Sequence, residues 1–249
     1  MRIVRDLSYI KRRKRTARWL ALLGFLLLAS TFWIALYDQF LLLAYGLLLV
    51  GFVIFNNGMQ QIGKWNRPVR NDQIIDRALS RLGDKYTLIH YATLGKQTIE
   101  HILVHPQGVL VLVPREIMGA VQVRGNRWRK KGVGLRRLFG MGGPQLGNPS
   151  LDVERAVNAV EKTLEAHDLD IPVDGAVVFT DPRADIEAEA PDWPILLPAE
   201  IPTFVRELPA GTMLKPTERQ RVVELLSNGE TLETNAPVSR RRPVKRRAA

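Results

Sequence analysis

The stretch Gly108 to Trp128, GVLVLVPREIMGAVQVRGNRW, sets an apolar run, Val109 to Val113, against a polar stop at Pro114, Arg115 and Glu116. Charged residues at the ends of buried strands are where α/β proteins place their ligands. Downstream, Arg124, Arg127, Arg129, Lys130, Lys131, Arg136 and Arg137 put seven positive charges into fourteen residues without an acid, and Trp128 is interleaved among them. Such a run can grip a nucleic-acid backbone while the indole stacks on a base. It can equally lie on anionic lipid, or be a solvated face around a core tryptophan.

Other chemistries find little support. His101 and His105 are four apart on a strand, about 13 Å at strand rise, too far to share a metal. The loop GVGLRRLFGMGG lacks the Gly-Lys-Ser/Thr ending of a phosphate-binding loop. No serine sits in a G-x-S-x-G elbow. The chain has no cysteine, which removes disulfides and thiolate metal sites and suits a reducing compartment.

The elements that must position these residues begin with two apolar runs. Residues 19–37 and 40–55 carry no charge, and only Asp38 and Gln39 separate them. The first can cross a ~30 Å hydrocarbon core at ~1.5 Å per residue. The second reaches spanning length by including the polar but uncharged residues to Ile62. The pair reads as a two-helix transmembrane hairpin over 19–62, an integral anchor with two spans. The runs are too long for a cleaved signal peptide. Trp19, Trp33 and Tyr37 sit where interfacial aromatics are expected. Eight basic residues precede the first run, and Lys64, Arg67 and Arg70 follow the second. The positive-inside rule then places both termini in the cytoplasm. The basic run KRRKR at 11–15 reads as a topology signal against anionic headgroups rather than a nucleic-acid arm. The net charge of +11 is concentrated in residues 1–18 and in the tail SRRRPVKRRAA, both read as flexible, so the middle is close to neutral.

After a linker over 63–70, residues 71–228 alternate helical and strand patterns. DQIIDRALSRL has helical spacing; TLIHYATL, KQTIEHILVHPQG, GVLVLV and AVQVRGNRWRKK read as successive strands. Residues 132–149 form a Gly- and Pro-rich loop. Ser150 caps a helix running to His167, DGAVVFTD is a buried strand, DIEAEAPDW an acidic loop and PILLP a short strand. Two helices follow, the last capped by Thr217. This order gives an α/β fold with a mixed sheet flanked by helices. Residues 229–249 form a disordered basic tail.

The series IEHILVHPQGVLVLVPREIMGAVQVRGNRW, then NPSLDVERAVNAVEKTL, then DGAVVFTD, resembles the nuclease-related domain, NERD, over about residues 70–226. The resemblance implies a restriction-endonuclease-like sheet. It also implies a strand acid and a Glu-x-Lys on the next strand that hold a divalent metal beside a scissile phosphate. Hard Mg²⁺ takes carboxylate oxygens, the metal activates water, and the lysine steadies the anionic centre. Carried onto this chain, Glu100 stands at the strand acid and Asp72 near a helix acid. Val113 stands at the Glu and Arg115 at the Lys. Valine has no ligand atom, and arginine is a poor proton-transfer group because its pKa exceeds ~12. Glu116 lies three residues beyond Val113, on the opposite strand face unless a bulge at Pro114 turns it back.

The resemblance therefore implies the framework without its metal-binding pair. Glu100, Arg115, Asp72 and Glu116 remain the candidate site, as a phosphate-contacting cluster or a structural one in which Glu100 pairs with Arg115. No metal ligand set is assigned, and Mg²⁺ or Mn²⁺ enters only if the site is active. Three readings follow: a membrane-anchored, degenerate nuclease domain that binds DNA or RNA, a membrane-surface scaffold for protein partners, or an active metal-dependent nuclease using Glu100, Glu116 and Asp72.

Overall fold

The computed structural model describes residues 1–131, 145–208 and 213–227. Residues Arg136 and Arg137 of the basic run, most of the Gly-rich loop and the C-terminal tail lie outside these.

Strand β1 (Arg2–Arg5) is followed by α1 (Leu7–Ile34), a 3₁₀ turn at Asp38–Phe40, and α2 (Leu41–Trp65). Asp6 caps α1 by accepting a hydrogen bond from the Tyr9 backbone N–H at 2.8 Å. Both helices are long and apolar enough to cross a membrane. They pack through a heptad of mostly small residues: Ala17, Gly24 and Thr31 on α1 against Ala44, Gly51 and Gly58 on α2. A methyl added at Gly24 would land on the Phe55 backbone, and one at Gly58 on that of Ala21. Their outer faces expose Leu22, Phe25, Phe32, Leu42, Leu49 and Val53. The helices thus approach closely at these small residues, and many of the large side chains point away from the interface.

Helix α3 (Asn71–Leu79) precedes three antiparallel strands, β2 (Thr87–Leu94), β3 (Gln97–His105) and β4 (Gly108–Arg115). Strands β5 (Gly119–Arg124) and β6 (Arg127–Lys130) form a hairpin. Then come α4 (Pro149–Glu165), β7 (Val173–Phe179), β8 (Ala184–Glu189), β9 (Ile195–Leu196), α5 (Ile201–Glu207) and α6 (Pro216–Leu226). The main sheet has the order β1-β2-β3-β4-β7-β9, parallel at β1–β2, β4–β7 and β7–β9. It is a mixed sheet with helices on both faces. Val109 and Val111 pack on the α4 and α6 side, while Leu110 and Leu112 pack on the α3 and α5 side. A second sheet, β6-β5-β8, leans on the α4 side.

Four expectations are corrected. The N-terminus is not a flexible basic arm: residues 2–5 form the edge strand of the domain's main sheet, and α1 takes up the KRRKR run. The stretch from Ala184 is not a loop but β8, paired in parallel with β5, because its small and apolar residues alternate with acids at period two. Helix α4 is capped by Asn148, whose side chain accepts from the Leu151 N–H at 3.2 Å, with Pro149 rather than Ser150 opening the helix. Lys215, not Thr217, precedes α6.

Candidate functional site

Strand β4 ends beside β3 and β7, and the sequence candidates lie around that end. The β3–β4 ladder closes at His101 opposite Leu112. Val113 lies one residue past this last pair and packs into the α4 side of the core. Glu100 lies on the other side of the sheet, where its charge acts on Arg67 and Tyr91. It receives Lys64 Nζ, from the last turn of α2, at 2.8 Å.

Arg115 does not join Glu100. Its guanidinium turns to the α4 side, pairs with Asp152 and donates from Nε to the Leu146 carbonyl at 3.2 Å. The expected Glu100–Arg115 pair is thus replaced by two separate ones, since Lys64 and Asp152 are nearer partners. Glu116 faces the other way, as its odd spacing from Val113 requires, and pairs with Arg67. Arg67 also reaches Asn71 Oδ1 at 3.4 Å, and that oxygen accepts from the Thr180 hydroxyl at 2.9 Å. Asn71 thereby ties the start of α3 to the end of β7.

Asp72 is fully buried. Arg70 donates to both its oxygens, at 3.0 and 2.8 Å, and Arg5 Nε lies 3.0 Å away. Burial alone would raise this carboxyl. The Arg70 hydrogen bonds and the Arg5 and Arg70 charges outweigh it and hold the carboxyl below its ordinary value. Arg5 also pairs with Asp76, whose other oxygen meets His90 Nε2 at 2.8 Å. His90 Nδ1 then meets His101 Nδ1 at 2.6 Å inside the sheet. Two nitrogens at that distance need one proton between them. Burial first, then the charges of His90, Lys64 and Arg5, push His101 well below the ordinary histidine range. His105, at the other end of β3, is buried apart from this network, which agrees with a structural role.

Tyr91 bends the ladder here. Its backbone is left-handed, with φ 62°, although the register on either side is unbroken (His90 with His101, Ala92 with Ile99). Side-chain alternation resets at this residue, so Ile89 and Ala92 both face the α4 side. The phenol is stacked on Tyr9 at 5.3 Å, and Trp65 closes the cluster. Burial first, then the Asp72 and Glu100 charges, raise its pKa. A non-glycine residue in this region costs about 1–3 kcal/mol and persists only where its surroundings enforce it.

The donor chemistry does not fit a divalent metal. Val113 offers no oxygen, and Glu100, Glu116 and Asp72 each carry a cationic partner. Among the described residues no group of three or more His, Asp or Glu side chains is arranged to hold an ion. Three of the neutralising cations, Lys64, Arg67 and Arg70, come from the end of α2 and the linker, and a fourth, Arg5, from β1. In the sequence these four look like topology signals, which hides their part in the site. Asp76 and His90 are equally inconspicuous there. The spacing of Asp72 and Asp76, one helical turn apart on the buried face of α3, is the clue that could have found them.

The basic hairpin is partly neutralised by the acidic strand beside it. Arg124 pairs with Glu189 at 2.9 Å and Lys131 with Glu187 at 2.6 Å. Trp128 is half-buried against the core rather than a free stacking platform: its ring lies on Phe179 at 6.2 Å and its N–H donates to Ser150 Oγ at 2.9 Å. Arg127 and Arg129 stay exposed on β6, without an ion pair among the described residues.

Neither a curated protein nor a solved structure matches the chain. A family model does, and its span takes in α3, the Glu100 strand, the β4 end and β7, but neither β1 nor the helical hairpin. Residues 68–180 match the model of the nuclease-related domain, and the chain accordingly carries a nuclease-related domain, NERD, placed after its two long apolar helices.

Proposed function

We propose that this is a membrane-anchored protein whose nuclease-related domain binds nucleic acid without cleaving it efficiently. The observation that carries the reading is that Val113 offers no ligand atom at the β4 end, while Glu100, Glu116 and Asp72 are each already held by a cation. The outward-facing leucines and phenylalanines of the hairpin support a bilayer around it, since a soluble protein rarely exposes so large an apolar surface. The basic residues at both feet of the hairpin support a cytoplasmic domain with both termini on that side. Arg127 and Arg129 support backbone contact with DNA or RNA, together with Lys130 and the basic tail.

A second reading is a membrane-surface scaffold with no nucleic-acid role. It is favoured by the Glu187 and Glu189 ion pairs and by the half-buried position of Trp128, which remove charge and a stacking face from the basic hairpin.

The test uses the full chain in detergent micelles, because β1 belongs to the domain's sheet. Fluorescence anisotropy with single- and double-stranded DNA is followed across a salt series. On duplex DNA the salt slope changes by ~0.9 for each phosphate neutralised. Binding whose slope is shallower by about two in R127Q/R129Q therefore supports the first reading. Absence of salt-sensitive binding favours the scaffold. Cleavage in Mn²⁺ that EDTA and Glu100→Ala both abolish would overturn the degenerate-site reading.

A further inference from the structure

Six cations crowd the first turns of α1, and they divide into two groups. Arg12 and Arg13 lie over the Tyr9 ring, at 5.8 and 5.0 Å from its centre, and Arg13 Nε donates to the Tyr9 hydroxyl at 2.9 Å. Lys11, Lys14, Arg15 and Arg18 point elsewhere. They follow an i, i+3, i+4, i+7 spacing, which places them on one face. With Trp19 and Leu22 they line an open cavity of about 530 Å³. None of the four makes an ion pair or hydrogen bond among the described residues. Between Leu7 and Trp65 the only acid in the sequence is Asp38, at the far turn of the hairpin.

Like charges four apart on a helix repel, and here Lys11 faces Arg15 and Lys14 faces Arg18. The described residues supply no counter-charge. Immediately along the same face the surface turns apolar, at Trp19 and Leu22, both exposed. A ligand that satisfies this cavity therefore has an anionic end and a hydrocarbon end, joined at the level of Arg18. The four cations extend over about 10 Å of helix axis, at ~1.5 Å per residue, which is longer than one phosphate.

We propose that this face of α1 is a binding site for an anionic phospholipid whose headgroup carries two phosphates. Lys11, Lys14, Arg15 and Arg18 hold the phosphates, and an acyl chain lies on Trp19 and Leu22. The site rests on the membrane-anchored reading. It differs from a diffuse surface field in being specific to headgroup shape and to which cations are removed.

The experiment uses the full chain reconstituted in phosphatidylcholine discs doped with cardiolipin, or with phosphatidylglycerol at equal total charge. Lipid retained per protein after capture and washing is measured. Two charge-matched variants are compared, K14Q/R15Q and R12Q/R13Q, with circular dichroism to confirm unchanged helix content. The expected result is cardiolipin retained at about tenfold over phosphatidylglycerol, abolished in K14Q/R15Q and kept in R12Q/R13Q. Equal retention of the two lipids, or an equal fall in the two variants, overturns the site and leaves the anchor intact. Failure of the wild type to float with plain phosphatidylcholine vesicles overturns the anchor, and the site with it.

Discussion

Asp72 carries more of the domain's integrity than its neighbours, since it is buried between two guanidinium groups that have few other partners. Asp72→Asn leaves Arg5 and Arg70 under-neutralised and is expected to destabilise the full chain by about 3–5 kcal/mol, read as a fall in denaturation midpoint. Glu116→Gln, at a partly exposed pair, is expected to cost no more than about 1 kcal/mol. His101 adds a pH dependence. Its folded-state pKa is depressed below the ordinary value near 6.5, so its contribution is complete above that pH and is lost as pH falls below it. Thermal unfolding between pH 7 and 5 should show this loss, and His101→Leu should flatten the curve. The depressed Asp72 adds a second loss only below about 4. A bolder test is Val113→Glu with Arg115→Lys. The variant restores the Glu-x-Lys residue types at the β4 end, and Mn²⁺ should then raise its melting temperature but not that of the wild type. The Val113 and Arg115 substitutions were legible in the sequence because a strand's register is simple. The Arg5–Asp76–His90–His101 chain was not, because its members come from four elements whose contact depends on tertiary packing alone.

Among the elements, the hairpin shows how closely small residues let two helices approach. Gly58 meets the Ala21 backbone, whereas Gly46, on the same helix, has nothing within 4 Å of an added methyl. Gly58→Leu is therefore expected to lower the melting temperature in detergent, at a cost of about 1–3 kcal/mol or more, while Gly46→Leu leaves it unchanged. The strands from Thr87 to Arg115 and the helices α3 to α6 could be read from periodicity, because each buries an apolar stripe or face. Strands β1 and β8 could not. Both are edge strands dominated by charge, RIVR and ADIEAE, and charge patterns suggest loops and tails unless the partner strand is known. Strand β8 finds its partner in the basic β5–β6 hairpin, so an acidic and a basic stretch partly neutralise each other.

For the whole molecule, the order of elements along the chain matters as much as their arrangement in space. Strand β1 lies ahead of the hairpin and the rest of its sheet behind it, and Arg5 and Asp76 meet across 71 residues. Tyr9 of α1, Trp65 of α2 and Tyr91 of β2 weld the feet of both helices to the domain. Deleting residues 1–5 is therefore expected to destabilise the domain and increase its proteolysis, although the deletion lies outside the family-matched span. Limited proteolysis of the full and shortened chains would measure it. Biogenesis then acquires a built-in order. A ribosome delivers β1 before the helices, and this strand has no partner in the main sheet until β2 has followed them. Closure of the hairpin is what brings β2 back alongside β1. A molecule whose helices fail to associate keeps β2 as an open edge and Asp76 without its arginine. On the membrane-anchored reading, misinsertion would thus leave a protease-sensitive domain.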